Sequence, residues 1–557
     1  MPETVFIGVA WPYANGPLHL GHVAGCFLAA DIFARYHRAK GNRVLMVSGS
    51  DQHGTPITLR AELEKRTPQE VVAEFHRSFQ DCWQRLGISW DLYTSTGTPN
   101  HAQVVHDVFR TLLERDYIYT GTMPLAYCPK EARFLPDRYV EGTCPHCGYI
   151  QARGDQCDKC GRTLNPEELR EARCRLCGAS PEMRESRHLF FRLSAFNQKL
   201  LEWARPQTHW RPNVHNFTVR YLEQGLQDRA ITRDLEWGIP IPVPSYENKR
   251  IYVWFEAVIG YLSASKEWAQ TRGEPEAWRQ FWEPPARSYY FIGKDNIPFH
   301  TLIWPAMLMG YGGLLLPHDV PANEFLTLEG RQFSTSRNWA VWLPDYLDRY
   351  EPDPLRYYLS AGMPETGDAD FSWGEFLRRN NDELVATYGN LAQRLLTFTH
   401  RHFGGQVPEP GPLDGPAQRL LARAQEALDA ADRHLAQCHF RDGIKEAMAL
   451  AQDANRYLEE TSPWKTVSTA RAAAATSVYV GLSVVSCLKS MLFPYLPFSS
   501  EDLHRQLGFP GTAQEQGWRW VLPSPGQRLG EARHLFRKLD EKTVAAEVGG
   551  AAAKAAR

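Results

Sequence analysis

Three stretches of this sequence carry residue types that could do chemistry. His19-Leu20-Gly21-His22 places two imidazoles three residues apart, a spacing that puts both on one helix face. The segment follows Pro17 and a β-branched apolar run, TVFIGVA. A helix opening there would aim free backbone N–H groups and its positive dipole end at an anion such as phosphate. Gly21 would let a ligand approach the backbone, and no GxGxxG or GxxxxGK[ST] motif competes for that role. The plain alternative is two ordinary surface or core histidines. The second stretch holds seven of the eleven cysteines, all between Cys128 and Cys177. Cys144-x2-Cys147-x9-Cys157-x2-Cys160 is a two-knuckle pattern, and four thiolates on two tight turns make the closed tetrahedral shell of structural Zn2+. Cys128, Glu131, Cys174 and Cys177 bracket it. They compose either a second zinc site of three thiolates and a carboxylate, or a buried thiol beside an inert turn. The third stretch, RQFSTSRN (331–338), sets three hydroxyls and one aromatic ring between two arginines, with no acid. Alone it reads as a solvated turn.

Elements must hold these groups in place. TVFIGVA and RVLMVSGS read as buried parallel strands joined by the helical LHLGHVAGCFLAADIFARYHRAKG, which ends at Gly41. That is a βαβ unit, and ligands of open parallel sheets bind beyond the carboxyl ends of the strands, where residues 11–22 and 48–54 fall. From about 117 to 187 the periodicity gives way to cysteine, glycine and proline, as in a small metal-stapled insertion. Strand and helix signals return at IYVWFEAVIGYLSASKEWA and SYYFIGKDNIPFHTLIWPAMLMG. After about 385 nearly everything is helical, with Leu421, Ala424, Leu428, Ala431 and Leu435 forming a packing seam, and FGGQVPEPGPLDGP a loop. The tail VAAEVGGAAAKAAR is of low complexity and reads as frayed.

Composition narrows the classes. With 557 residues, 43% apolar and 23% charged, the chain is globular and multi-domain. A net charge of −2 means that any nucleic acid must meet local basic patches. The N-terminus lacks the pattern of a secretory leader, and an odd cysteine count points to metal rather than a disulfide framework. The most apolar run, 478–498, is interrupted by Lys489 and two prolines, so it reads as a buried helix and not a membrane span. A soluble, cytoplasmic protein is expected.

WPYANGPLHLGH (11–22) resembles the HIGH signature of class I aminoacyl-tRNA synthetases, with the flanking residues of the methionyl branch. The likeness continues through GSDQHGTP, FLPDRYVEGTCPHCG, VWFEAVIGY, FIGKDNIPFH and GNLAQR, nearly end to end. It implies a methionine–tRNA ligase: ATP with Mg2+ and L-methionine give methionyl-adenylate and pyrophosphate, and the acyl group passes to tRNA(Met). It implies that His19 and His22 contact ATP phosphates, that Lys294 adds positive charge there, and that Asp51 pairs with the amino acid's ammonium. Trp11, Tyr13, Trp254, Ala257, Tyr261, Phe299, His300 and Trp304 match the family's methionine pocket, while Val258 stands where relatives often carry proline. An aromatic, polarizable wall suits a thioether. Asn390, Arg394 and Trp464 match the positions that read the CAU anticodon, consistent with polar and stacking recognition of unpaired bases.

The octamer aligns with the family's KMSKS loop, which closes over the triphosphate. Here Gln332 and Thr335 replace its lysines, and neutral donors cannot offset phosphate charge. The expectation is that Arg331 and Arg337 take over that role with Lys294, while Ser334, Thr335 and Ser336 contribute hydroxyl donors. Two other readings compete. A non-catalytic zinc-ribbon nucleic-acid binder would leave HLGH and Asp51 without a role. The cysteine-specific class I enzyme would need zinc in the amino-acid pocket itself. The expected architecture is α/β: a Rossmann-like catalytic domain at 1–116 and 233–324, split by a zinc-knuckle insertion at 117–232. A loop and stem-contact region (325–385), an all-α anticodon-binding bundle (386–540) and a tail (541–557) follow, in a monomer.

Overall fold

The computed structural model describes residues 2–547, apart from 155, 156, 158, 160–163, 165 and 334–337; for Asp137 it describes the backbone only. Five strands form the central sheet: β1 (Thr4–Val9), β2 (Arg43–Ser50), β3 (Leu92–Ser95), β4 (Arg287–Gly293) and β5 (Ala322–Asn323). Their order is β5-β4-β1-β2-β3, every pair parallel. Crossover helices cover both faces, so the strands read as continuous apolar runs; Val5, Phe6, Ile7 and Val9 of β1 are all fully buried. Between β1 and β2 the chain is helical from Leu20 to Ala39, with a π-helical turn over Val23–Phe27. The helix starts three residues after Pro17, because His19 rather than the proline caps it. It stops at Lys40 and Gly41, the latter at φ 79°, a conformation glycine adopts without strain.

A long antiparallel ribbon, Ile118–Cys128 against Glu182–Phe191, leaves this domain and carries the cysteine-rich lobe at its far end. That lobe has its own three-stranded sheet, Ala152–Arg153, Val140–Thr143 and Arg170–Cys174. After β5, Leu326–Leu328 pairs with Arg331–Gln332 and with Ala369–Phe371. The remainder is helical: Asn390–Phe403, Gly415–Ala436, Phe440–Thr461, Arg471–Leu492 and Pro497–Gln506. In Gly415–Ala436 the packed seam is Ala417, Leu420, Ala424, Leu428, Ala431 and Leu435. Leu421 is only half-buried at its edge, so the expected stripe was one residue off at its N-terminal end. Arg471–Leu492 is long and apolar enough to cross a membrane, yet it is buried from Ala474 onward among the other helices. Within the expected tail, Glu547 accepts a hydrogen bond from Tyr350 Oη at 2.8 Å; 548–557 lie outside the described residues.

One buried knot ties these parts together. Arg356 is fully buried; its Nη2 lies 2.6 Å from Asp31 Oδ2, and its other N–H groups donate to the Leu86, Pro494 and Tyr495 carbonyls. Asp31 also accepts from Arg35 Nε at 2.9 Å and from the Ser89 backbone and hydroxyl. Burial alone would raise the Asp31 pKa, but the two guanidiniums and Ser89 bring it down to about 2.

Candidate active site

The residues singled out in the first helix, at the end of β2 and in the second half of the sheet converge at the carboxyl edge of the strands. Asp51 continues β2: its N–H donates to Pro12 O at 2.8 Å and its carbonyl accepts from Ala14 N at 2.9 Å. This clamps the segment after β1 to the end of β2. The Asp51 carboxylate is buried, with Oδ1 accepting long bonds from His53 N (3.3 Å) and Thr96 Oγ1 (3.4 Å). No lysine or arginine ion-pairs with it among the described residues, and burial, with the nearby Glu256 carboxylate, pushes its pKa well up. His53 opposes this shift only in part, so the buried carboxylate is left without a full counter-charge.

Around it stand the aromatic residues. Trp254 Nε1 donates to Tyr13 Oη at 3.0 Å, and the Trp254 ring lies 4.9 Å from Phe299. Tyr261 Oη and His300 Nε2 are 2.7 Å apart, while His300 Nδ1 lies 2.9 Å from the Asn296 carbonyl. The carbonyl can only accept, so Nδ1 carries the proton and Tyr261 donates to Nε2. Burial lowers the His300 pKa to about 4, which keeps that tautomer neutral. Trp11 lies across two glycines: a Cβ at Gly49 would sit 2.4 Å from its ring, and one at Gly260 2.9 Å. Tyr261 likewise passes 2.9 Å from where a Cβ on Gly8 would be. Ala257 is half-buried at the end of the Val253–Ala257 turn, and Val258 is buried. Trp304 differs from the others. It is 1% exposed and packed against Trp282 and Tyr261, so it backs the pocket from the core.

Sequence reasoning missed the layer behind Asp51. Glu256 is fully buried, 2.9 Å from His53 Nδ1 and 3.5 Å from His101 Nε2; His101 Nδ1 in turn meets Ser263 Oγ at 2.8 Å. Burial would lower His53, but Glu256 outweighs it and the pKa is raised; burial would raise Glu256, but His53 and His101 bring it down. The signal was the histidine two residues after Asp51 and the glutamate inside the aromatic segment.

At the helix start His19 is the N-cap. Its Nδ1 accepts from Gly21 N at 3.1 Å, and its own N–H donates to His22 Nδ1 at 3.1 Å. Both Nδ1 atoms are therefore acceptors, and each neutral ring carries its proton on Nε2. Burial holds both pKa values down, that of His22 at about 4. The pair thus offers two neutral N–H donors rather than two cations. Phe333 stacks on His19 with centroids 4.8 Å apart and planes 10° off parallel. Leu20 N donates to Val341 O and Leu343 N to Leu18 O, so the chain at 341–343 is pinned against the HLGH turn. Arg331 is exposed, its guanidinium 5.2 Å over the Trp339 ring. Ser334, Thr335, Ser336 and Arg337 lie outside the described residues. Lys294 is not a free cation: its Nζ meets Glu324 at 2.7 Å and Asp368 at 2.9 Å, which raises its pKa although burial opposes it.

Two clusters could hold metal ions. Cys144, Cys147 and Cys157 gather within 4.8 Å, as do Cys128, Cys174 and Cys177. Sγ separations of 3.6 Å for Cys147–Cys157 and 3.5 Å for Cys128–Cys177 approach the ~3.8 Å expected between thiolates on one tetrahedral zinc. Two knuckles repeat the same turn, with Gly148 N donating to Cys144 O and Gly178 N to Cys174 O, both glycines at positive φ. Cys160 lies outside the described residues. Glu131 does not join the second cluster with its carboxylate; its side chain is exposed and its backbone N lies 3.5 Å from Cys128 Sγ. Cys147 and Cys177, three positions past Cys144 and Cys174, turn their thiols into the clusters, whereas Glu131 offers Cys128 only its amide. In the helical part, Arg394 lies 4.3 Å over the exposed Trp464 ring, with Asn390 exposed one turn before.

Comparison with known proteins agrees with this geometry. Residues 5–396 match the family described as tRNA synthetases class I (M), and 407–548 match the anticodon-binding domain of methionyl tRNA ligase. The chain belongs to the class I methionyl-tRNA synthetase family. A methionine–tRNA ligase of Dehalococcoides mccartyi is 58% identical over 98% of this chain and 99% of its own length. That of Thermomicrobium roseum is 54% identical, covering 98% of each chain. Among solved structures, Mycobacterium tuberculosis methionyl-tRNA synthetase bound by methionyl-adenylate matches with a TM-score of 0.80 at 25% identity, over 96% of this chain and all of that one. The ligand-free form of the same enzyme scores 0.73. The Rossmann-like parallel-sheet domain and the helical anticodon-binding domain are those of the family.

Proposed function

We propose that the Asp51 pocket and the two Nε2–H groups of the HLGH turn carry the two half-reactions of a methionine–tRNA ligase, the activity of this family. The observation that supports it most is Asp51 itself, a buried carboxylate with which no lysine or arginine of the described residues pairs, beside an apolar wall. A substrate ammonium supplies the missing charge. The thioether lies along Trp11, Tyr13, Trp254, Ala257, Tyr261, Phe299 and His300, with Trp304 behind; the neutral Tyr261–His300 pair offers it no competing charge. His19 and His22 donate to the phosphates of ATP, whose Mg2+ neutralises part of their charge. Lys294 spends two of three ammonium donors on Glu324 and Asp368, leaving one for phosphate. The methionine carboxylate attacks the α-phosphorus, a P–O bond forms, and the bond to pyrophosphate breaks. In the second step a ribose hydroxyl of the tRNA end attacks the acyl carbon. AMP leaves, and the hydroxyl proton departs with it.

Because the histidines are neutral and Lys294 is shared, positive charge must come from the loop. Arg331 and Arg337 supply it in place of the family's lysines, with Ser334 and Thr335 as donors. Zinc bound by Cys144, Cys147, Cys157 and Cys160, and a second held by Cys128, Cys174 and Cys177, fix the inserted lobe and take no part in the reaction. Asn390, Arg394 and Trp464 read the anticodon of tRNA(Met). The enzyme works as a cytoplasmic monomer. Methionine-dependent ATP–pyrophosphate exchange tests the reading, and absence of exchange by the purified protein overturns it. Arg331→Ala should lower exchange about tenfold, the size of one lost charge-assisted hydrogen bond; parental exchange by both arginine variants refutes the loop assignment.

A further inference from the structure

Next to Asp51 in the chain, Gln52 and His53 line a cavity of about 590 Å³ together with Gln69, His76, Arg77 and Trp237. It shares its supports with the amino-acid pocket. Gln52 and His53 directly follow Asp51, and Thr96 Oγ1 both contacts Asp51 and accepts from Gln52 N at 2.8 Å. A Cβ on Gly97 would lie 2.2 Å from Gln52 Oε1, so the glycine leaves the amide room in its present position. Trp237 is held by its edge, with Nε1 donating to Gln52 O at 2.7 Å and His53 packed edge-on at 5.5 Å. The His76 ring is fixed by Ser50 Oγ at 2.7 Å and by Tyr93, nearly parallel at 5.7 Å.

Against these fixed groups, two side chains on the helix Pro68–Leu86 are uncommitted. Gln69 and Arg77 are exposed and make no hydrogen bond or ion pair among the described residues. Arg77 is unusual in its neighbourhood: Arg60 pairs with Glu64, Arg66 with Glu74, and Arg85 with Asp81 and Asp348. A cavity with an indole, two amides, two imidazoles and a free guanidinium at its rim has the chemistry of a single-stranded nucleotide site. Unpaired bases stack on aromatic and guanidinium planes, glutamine amides read base edges, and arginine takes phosphate.

We propose that this cavity holds the last nucleotides of the tRNA acceptor strand, with Arg77 on a backbone phosphate and Gln69 on a base, so that the terminal ribose reaches the acyl group across the Gln52–His53 wall. The proposal rests on the ligase reading above and deepens it. Two alanine variants, Arg77→Ala and Gln69→Ala, remove exposed side chains with no structural partners. Methionine-dependent exchange is measured on each sample, and transfer of the methionyl group from enzyme-bound adenylate to tRNA(Met) in a single turnover. The ratio of transfer to exchange should fall about tenfold or more for Arg77→Ala. The parent should also bind intact tRNA more tightly than tRNA trimmed of its 3′-terminal adenosine and the two preceding nucleotides, and Arg77→Ala should lose that preference. An unchanged ratio in both variants, or exchange falling in step with transfer, overturns the proposal. A parental protein with no exchange at all overturns the ligase reading instead.

Discussion

Two buried aspartates, twenty residues apart in the chain, have opposite fates. Asp31 sits between two guanidiniums and a serine, and its pKa is brought down to about 2. Asp51 has two long hydrogen bonds, a neighbouring carboxylate, only His53 in opposition and no guanidinium or ammonium among the described residues, and its pKa is pushed up. Each carboxylate is out of water. At Asp31 the protein provides the counter-charge, so the group is structural and joins the catalytic domain, the Pro352–Ala361 helix and the helical bundle. At Asp51 no arginine or lysine of the described residues supplies a counter-charge, which is the charge that the ammonium of the proposed substrate would bring. Burial alone therefore does not distinguish structure from function; the presence of an internal partner does.

That contrast can be broken experimentally. The largest effect is expected on removing the internal partner: Arg356→Met should destabilise the fold by about 3–5 kcal/mol, because it leaves Asp31 short of its buried partner. Chemical denaturation would measure this, and adding Asp31→Leu should recover part of the loss. Exchange activity per folded molecule should be retained, since the knot touches no substrate.

A smaller effect should appear in acid. The Asp31 pKa is depressed, so its stabilising contribution is complete above the ordinary carboxylate value and disappears as pH falls from about 4 through about 2. The shift corresponds to roughly 2 kcal/mol. Unfolding free energies along that pH range should show this slope in the parent and lose it in the Asp31→Leu, Arg356→Met pair.

The smallest effect, of opposite sign, is expected for Asp51→Asn. A raised carboxylate pKa means that stability is lost as pH rises from the unfolded value toward the folded one. Removing that ionisation should leave the melting temperature at neutral pH unchanged or slightly higher. A marked fall, measured by calorimetry, would mean that Asp51 is structural after all.

How much of this was legible in the sequence follows sequence distance. HLGH, the Cys-x2-Cys knuckles and Asp51 at a strand end are local patterns, and the structure brings them to the sheet edge or to paired thiol clusters. The Glu256–His53 contact joins residues 203 apart, and Arg356–Asp31 joins residues 325 apart; no local periodicity encodes either. The neutrality of His19 and His22 was also hidden, because it comes from the cap geometry that uses both Nδ1 atoms. Lys294 looked like a free phosphate ligand until Glu324 and Asp368 appeared beside it. Glu131 matched a ligand spacing, but the backbone turn directs its amide toward the sulfur. The glycines under Trp11 were visible in GSD and IGY, yet only the fold shows what lies over them.

The most direct measurement is calorimetric titration of L-methionine into the parent and Asp51→Asn, each in two buffers of different ionisation enthalpy. The parent should bind methionine with a larger proton release than Asp51→Asn, because an ammonium favours the ionised form of a carboxyl whose pKa burial raises. Asp51→Asn should bind about a hundredfold or more weakly, as expected for a buried charge left unpaired, without that additional proton release. Equal affinity and equal proton release in the two proteins would contradict the account.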